Sequence, residues 1–202
     1  MMNWGGNKMI FHYAGKYDGD ESKLPKKEHH PAAVMFKEAE DIKKLALIAN
    51  IGSFLIMIPF TILLFLTAGK YVETNKMWML AGCLASLFTI LPHELLHAAV
   101  FKEDVYMYNY LGQGMMFVVG TEDMSKGRFI FMSLLPNVVF GIIPYLVFLC
   151  FPRLTGLGVF GILCIGMGFG DYINVYNAIR QMPKGAKTYL CGMHSYWYKE
   201  QN

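Results

Sequence analysis

The sequence predicts an all-α polytopic membrane protein of about four transmembrane helices, with a small β-hairpin in the loop between the second and third. Three observations predict it. Four apolar runs each approach the ~20 residues that a helix needs to cross a bilayer. The charges gather in the segments between and outside those runs. The chain is 54% hydrophobic and only 16% charged, with a mean hydropathy of +0.33, against roughly 25% charged residues in soluble domains.

Residues 1–44 are polar and mixed in charge, so they read as a cytoplasmic N-terminal segment rather than a cleavable leader. The first run extends from Leu45 to Ala68 and is closed by Gly69-Lys70. The second extends from Met77 to Phe101 and is closed by Lys102. The third extends from Phe129 to Phe151, ending at Pro152-Arg153. The fourth extends from about Leu157 to Ile179 and ends at Arg180. Its glycines (158, 161, 166, 168 and 170) suit close approach of neighbouring backbones. Residues 45–180 thus form the membrane domain, and 181–202 a cytoplasmic tail.

Positive charge sets the orientation. Fifteen of the eighteen lysines and arginines lie in the N-terminal segment, the central loop and the C-terminal tail, against Lys70, Lys76 and Arg153 on the other side. Both termini are therefore expected on the cytoplasmic side of a cell membrane, in a multi-pass chain. The net charge of +3 leaves no footprint for nucleic acid. Cys83, Cys150, Cys164 and Cys191 form no close pair and read as small hydrophobes.

In the central loop, Tyr106, Tyr108 and Tyr110 alternate with other residues. Gly112-Gln113-Gly114 then supplies a turn, and Phe117-Val118-Val119 follows. This pattern predicts the hairpin. Its strand edge near Tyr106–Tyr110 is a candidate for holding an extended peptide, with the three tyrosines as contacts.

The second run contains His93-Glu94-Leu95-Leu96-His97. Histidines at i and i+4 share one helix face, so both imidazoles can reach one Zn²⁺. Glu94 stands beside them, placed to take a proton from a metal-activated water. Three polar side chains in an uncharged apolar run each carry a desolvation cost and need partners.

A catalytic zinc usually has three protein ligands. Asp171 is the candidate for the third, since it is the only acidic residue between Arg153 and Arg180. His93 precedes Lys102 by nine residues, and Asp171 precedes Arg180 by nine. At 1.5 Å per residue both sit roughly 13 Å from the ends of their helices. Pro136-Asn137 interrupts the third run. The proline frees a carbonyl, and Asn137 is a candidate to bond either a substrate strand or a site residue. His29-His30, before Pro31, reads as a solvated loop, and His12 and His194 as surface residues.

The residues alone leave three functions open: a zinc hydrolase, a metal-binding sensor or adaptor without hydrolytic activity, and an ion or proton carrier using Asp171 and the histidines. Glu94 favours the first over the second, because a protein that only binds metal has no need of a base there, and the third predicts transport in liposomes without bound zinc.

The order of these features resembles the DUF3267 family of zincin-type peptidases, small bacterial relatives of the site-2 protease metalloproteases, which implies a bacterial plasma membrane. The likeness runs from about Leu24 onward. It rests on HELLH at 93–97, Ser133-Leu134-Leu135-Pro136, Gly170-Asp171 and Met182-Pro183-Lys184-Gly185. In site-2 proteases a glycine follows the aspartate; here it precedes Asp171, and Tyr172 follows. The resemblance implies Zn²⁺ held by His93, His97 and Asp171, with Glu94 as catalytic base. It also implies an intramembrane metalloprotease that hydrolyses a peptide bond in or near a membrane-spanning protein or peptide substrate.

Overall fold

The computed structural model describes residues 9–38, 42–110, 112 and 115–200. Its helices are α1 (Ile42–Val72), α2 (Lys76–Leu87), α3 (Ile90–Ala98), α4 (Lys126–Pro136), α5 (Ile143–Cys150), α6 (Thr155–Met167) and α7 (Phe169–Gln181). A π-helical segment, Asn137–Ile142, joins α4 to α5 without a break in the rod. The strands are β1 (Phe11–Lys16), β2 (Val34–Met35), β3 (Val105–Tyr110), β4 (Met115–Val119), β5 (Met124–Ser125), β6 (Lys187–Cys191) and β7 (His194–Tyr198).

Two helical stretches are long and apolar enough to cross a membrane unaided, Leu47–Val72 and Lys126–Cys150. The other two expected spans are each broken. The α2–α3 pair bends by 44° and the α6–α7 pair by 51°, so the count of candidate spans is two, or four if each bent pair is one. The first bend has a local cause. Pro92 brings no N–H to the turn before it. The end of α2 tightens into i→i+3 bonds, Phe88 N–H to the Ala85 carbonyl and Thr89 N–H to the Ser86 carbonyl, and two hydroxyls add to it, Ser86 donating to the Cys83 carbonyl at 2.7 Å and Thr89 to the Ser86 carbonyl at 2.6 Å. The second bend falls at Gly168, the residue between α6 and α7.

The chain divides into two compact units. One comprises residues 38–93 and 133–176 and is helical. Its centre is α6, whose glycines 156, 158, 161 and 166 are buried. A Cβ built on Gly82 would overlap the Gly156 carbonyl, and one on Gly156 would overlap that of Trp78, so α2 and α6 meet backbone to backbone. Leu64, Ala68, Tyr145, Phe148, Ile162 and Ile165 form the core beside them. The outside is apolar too: Phe54 is 66% exposed, Leu66 79%, Trp78 71% and Phe88 81%. Such faces are costly in water and suited to lipid.

The other unit comprises residues up to 37, 94–132 and from 177 onward. It holds two small sheets. The first has the order β1-β3-β4, with β1 parallel and β4 antiparallel to β3. The second has the order β2-β7-β6-β5. Phe36, Phe101, Val105, Phe129, Met132 and Met182 are among the buried side chains of its core.

The chain is therefore mostly helical rather than all-α. The polar N-terminal segment and the C-terminal tail, read from sequence as cytoplasmic flanks, contribute strands β1, β2, β6 and β7. Their strands are two to six residues long, too short to show a period against a charged background. A local sign existed at the β6–β7 loop. Gly192 takes φ +64° as the first of two loop residues, a conformation glycine adopts freely in hairpins. In the central loop β3 and β4 pair from Tyr106↔Val119 to Tyr110↔Met115. The turn expected at Gly112-Gln113-Gly114 lies largely outside the described residues.

Candidate metal centre

Helix α3 begins where the His93 N–H donates to the Thr89 carbonyl at 2.8 Å. Along this one helix, ligand atoms of His93, Glu94 and His97 lie within 4.8 Å of one another. Among the described residues no other group of three or more histidine, cysteine or acidic side chains converges in this way.

His97 is 6% exposed. Its Nδ1 lies 2.8 Å from the Met132 carbonyl oxygen. A carbonyl only accepts, so Nδ1 carries the proton and Nε2 keeps its lone pair, which is the tautomer a metal requires. The carbonyl is available because of sequence four residues on. Pro136, within the same helix, has no N–H to bond the Met132 carbonyl.

His93 Nε2 lies 3.1 Å from Asp171 Oδ2. Two donors of a tetrahedral zinc, each 2.0–2.2 Å from the ion, stand about 3.3–3.5 Å apart. The observed 3.1 Å is slightly shorter, the distance of an N–H donated to the carboxylate, and a small opening of the pair would let both groups hold one ion. Both side chains are largely withdrawn from solvent, 16% and 14% exposed. Asp171 Oδ2 also accepts a hydrogen bond from Asn137 Nδ2 at 2.7 Å. Nitrogen and carboxylate donors are the donor set of zinc.

The expected residues thus fall into distinct groups. His93 and His97 come together as read, and Asp171 reaches His93. The three-residue group with the histidines is completed by Glu94. Asn137 is 1% exposed and meets Asp171, so it has no free surface to offer a substrate.

The strand edge expected near Tyr106–Tyr110 is not open. β3 is the central strand, flanked by β1 and β4. Its tyrosines are packed: Tyr106 stacks on His12, Tyr108 on Phe117, and Tyr110 meets Tyr17 edge-on. His30 is likewise more engaged than a solvated loop, stacking on Tyr198 and bonding Asp123 at 3.0 Å.

Sequence reasoning missed Glu122, which organises the exit from α3. One carboxylate oxygen accepts the Lys102 N–H at 2.6 Å and the Glu103 N–H at 3.2 Å. The other meets Arg128, which also bonds the Val100 carbonyl. Burial pushes the Glu122 pKa up. The Arg128 guanidinium and the two backbone N–H groups outweigh it and hold the carboxyl below its usual range. An acid followed six residues later by an arginine carried no visible signal, because its partners are backbone groups about twenty residues upstream.

No curated protein and no solved structure matches the chain. The family model of DUF3267, described as "Putative zincin peptidase", matches residues 86–187. That stretch runs from the end of α2 to the start of β6 and contains α3, the Pro136-Asn137 pair and Asp171. A helix carrying His-Glu-His, with one histidine held in the metal-binding tautomer, is what such a peptidase needs, and by this match the chain belongs to the DUF3267 family.

Proposed function

We propose that this protein is an intramembrane zinc metallopeptidase of the site-2 protease kind, with four spans and its centre toward the cytoplasmic side. The observation that carries the reading is the convergence of His93, Glu94 and His97 on one helix of an apolar segment that holds no other acidic or basic residue. In this reading His93, His97 and Asp171 hold the ion. When bound, zinc supplies Lewis-acid activation of a water and of the scissile carbonyl. Glu94 takes the proton of that water on its carboxylate and passes it to the departing nitrogen. His97 stays oriented through its Nδ1 bond to the Met132 carbonyl.

The substrate is a membrane-embedded or membrane-proximal peptide. A helix hides its amides, so the cleaved stretch must be extended. Strand addition in the first sheet would use an outer strand, β1 or β4, while Tyr106, Tyr108 and Tyr110 on the central strand offer only side chains. The test is purified protein in detergent or liposomes with a panel of single-span membrane peptides. About one zinc per chain is expected. Cleavage should stop on chelation and return with zinc. Zinc-free protein that cleaves the same peptides would sink the reading.

The orientation rests on the asymmetry of lysines and arginines between the two sides. A cysteine placed at Thr74 should react with a membrane-impermeant thiol reagent on intact cells, and one at Ser125 should be shielded. The opposite labelling pattern would reverse the orientation.

A further inference from the structure

Asn137 makes an unusual choice of partners for a buried amide. It is 1% exposed and opens the π-helical segment. Its Nδ2 faces two acceptors, the Ser133 carbonyl at 3.2 Å and Asp171 Oδ2 at 2.7 Å. The amide cannot be turned over, because its oxygen would then point at both acceptors. In this orientation Oδ1 is buried and has no hydrogen-bond partner. An orphan oxygen is costly in a buried site, and an apolar side chain of similar size would avoid the cost. What the asparagine gains in return is the bond to Asp171.

The opposite wall fits the amide closely. Gly168 lies between α6 and α7 with φ −81° and ψ 14°, a backbone that any residue adopts. Conformation therefore does not require glycine there. Space does: a Cβ on Gly168 would overlap the Asn137 amide, oxygen first. The bend at Gly168 thus leaves the room that the amide fills, three residues before Asp171.

We infer that Asn137 is the positioning residue for Asp171, holding its carboxylate toward the metal, and that Gly168 is small so that this amide can stand there. The inference rests on the reading of Asp171 as a zinc ligand. Groups that orient a ligand typically account for 10–100-fold in metal affinity. Asn137 acts through Asp171 and does not touch the ion.

The experiment is a double-mutant cycle on the full-length chain in detergent. Zinc affinity is measured by competition with a chromophoric chelator, alongside the visible spectrum of the Co²⁺-loaded protein and the thermal midpoint of the metal-free form. Asn137→Ala and Gly168→Ala should each weaken zinc binding by about 10–100-fold and alter the Co²⁺ spectrum. The double variant should be no weaker than the weaker single, because the added methyl enters space that the shortened side chain has left.

A merely structural Asn137 would lower the thermal midpoint and leave the zinc affinity and Co²⁺ spectrum of the folded protein unchanged. That result overturns the inference while leaving the zinc reading intact. Losses that add in the double variant overturn the steric role of Gly168. If Asn137→Ala does not fold, Gly168→Ala decides alone, and wild-type affinity in it counts against the inference. Wild-type protein that takes up no zinc overturns the zinc reading, and this inference with it.

Discussion

Replacing Glu94 with glutamine should leave zinc bound and lower peptide cleavage by about 10²–10⁴-fold, the range that a positioned general base contributes. The substitution keeps the size and helix preference of the side chain and removes the group that accepts a proton. His93 and His97 keep their places on α3, and His97 keeps its bond to the Met132 carbonyl. The measurement is product formation by mass spectrometry, with wild type and variant matched for zinc content. Undiminished cleavage by the zinc-loaded variant would remove Glu94 from the chemistry. If wild type and variant both hold zinc, and cells without the protein accumulate no uncleaved membrane protein, a sensor or adaptor becomes the better reading.

The helices were legible because a span is a long signal. Twenty apolar residues cannot be mistaken for a loop, and α1 and the α4–α5 rod fall where the hydropathy places them. Their interruptions were less legible. Pro92 and Gly168 stand in plain view, yet a proline near a helix start and a glycine in a membrane span are both compatible with a straight rod. Whether they bend depends on what the freed groups meet. At the first bend the chain closes α2 with i→i+3 bonds, reinforced by the Ser86 and Thr89 hydroxyls.

The sheets were the least legible part, because their pairings are distant in sequence. β1 pairs with β3 across about ninety residues, β5 with β6 across about sixty. No local pattern reports such partners. The tyrosines at 106, 108 and 110 signalled a strand correctly but could not reveal that β1 would occupy its second edge.

The site was legible to different depths for the same reason. HELLH declares itself, since i, i+4 spacing is a property of one helix. The depth comparison was enough to bring Asp171 beside His93. The proline at 136 announced a free carbonyl, but only the fold names His97 as the group that uses it. For Asn137 the sequence offered two roles, substrate contact or site contact, and the structure puts its amide against Asp171.

The larger test concerns which carboxylate holds the metal. Asp171→Ala should weaken zinc binding beyond the 10–100-fold typical of an orienting residue, and about as much as His93→Ala, because each removes one of three donors. Asp171→Asn, which keeps one oxygen of similar shape, should fall between wild type and alanine. The competing arrangement comes from the same helix. Glu94 lies with His93 and His97 in the convergent group, so it could itself be the third donor, with Asp171 accepting the His93 N–H. The two arrangements predict opposite pairs of results. If Asp171 is the ligand, Asp171→Ala loses zinc and Glu94→Gln keeps it. If Glu94 is the ligand, Glu94→Gln loses zinc and Asp171→Ala keeps most of it. Zinc affinities of those two variants, measured by chelator competition beside His93→Ala, separate them without any substrate. Retention of wild-type affinity by Asp171→Ala would overturn the assignment of Asp171 and move the base to another residue.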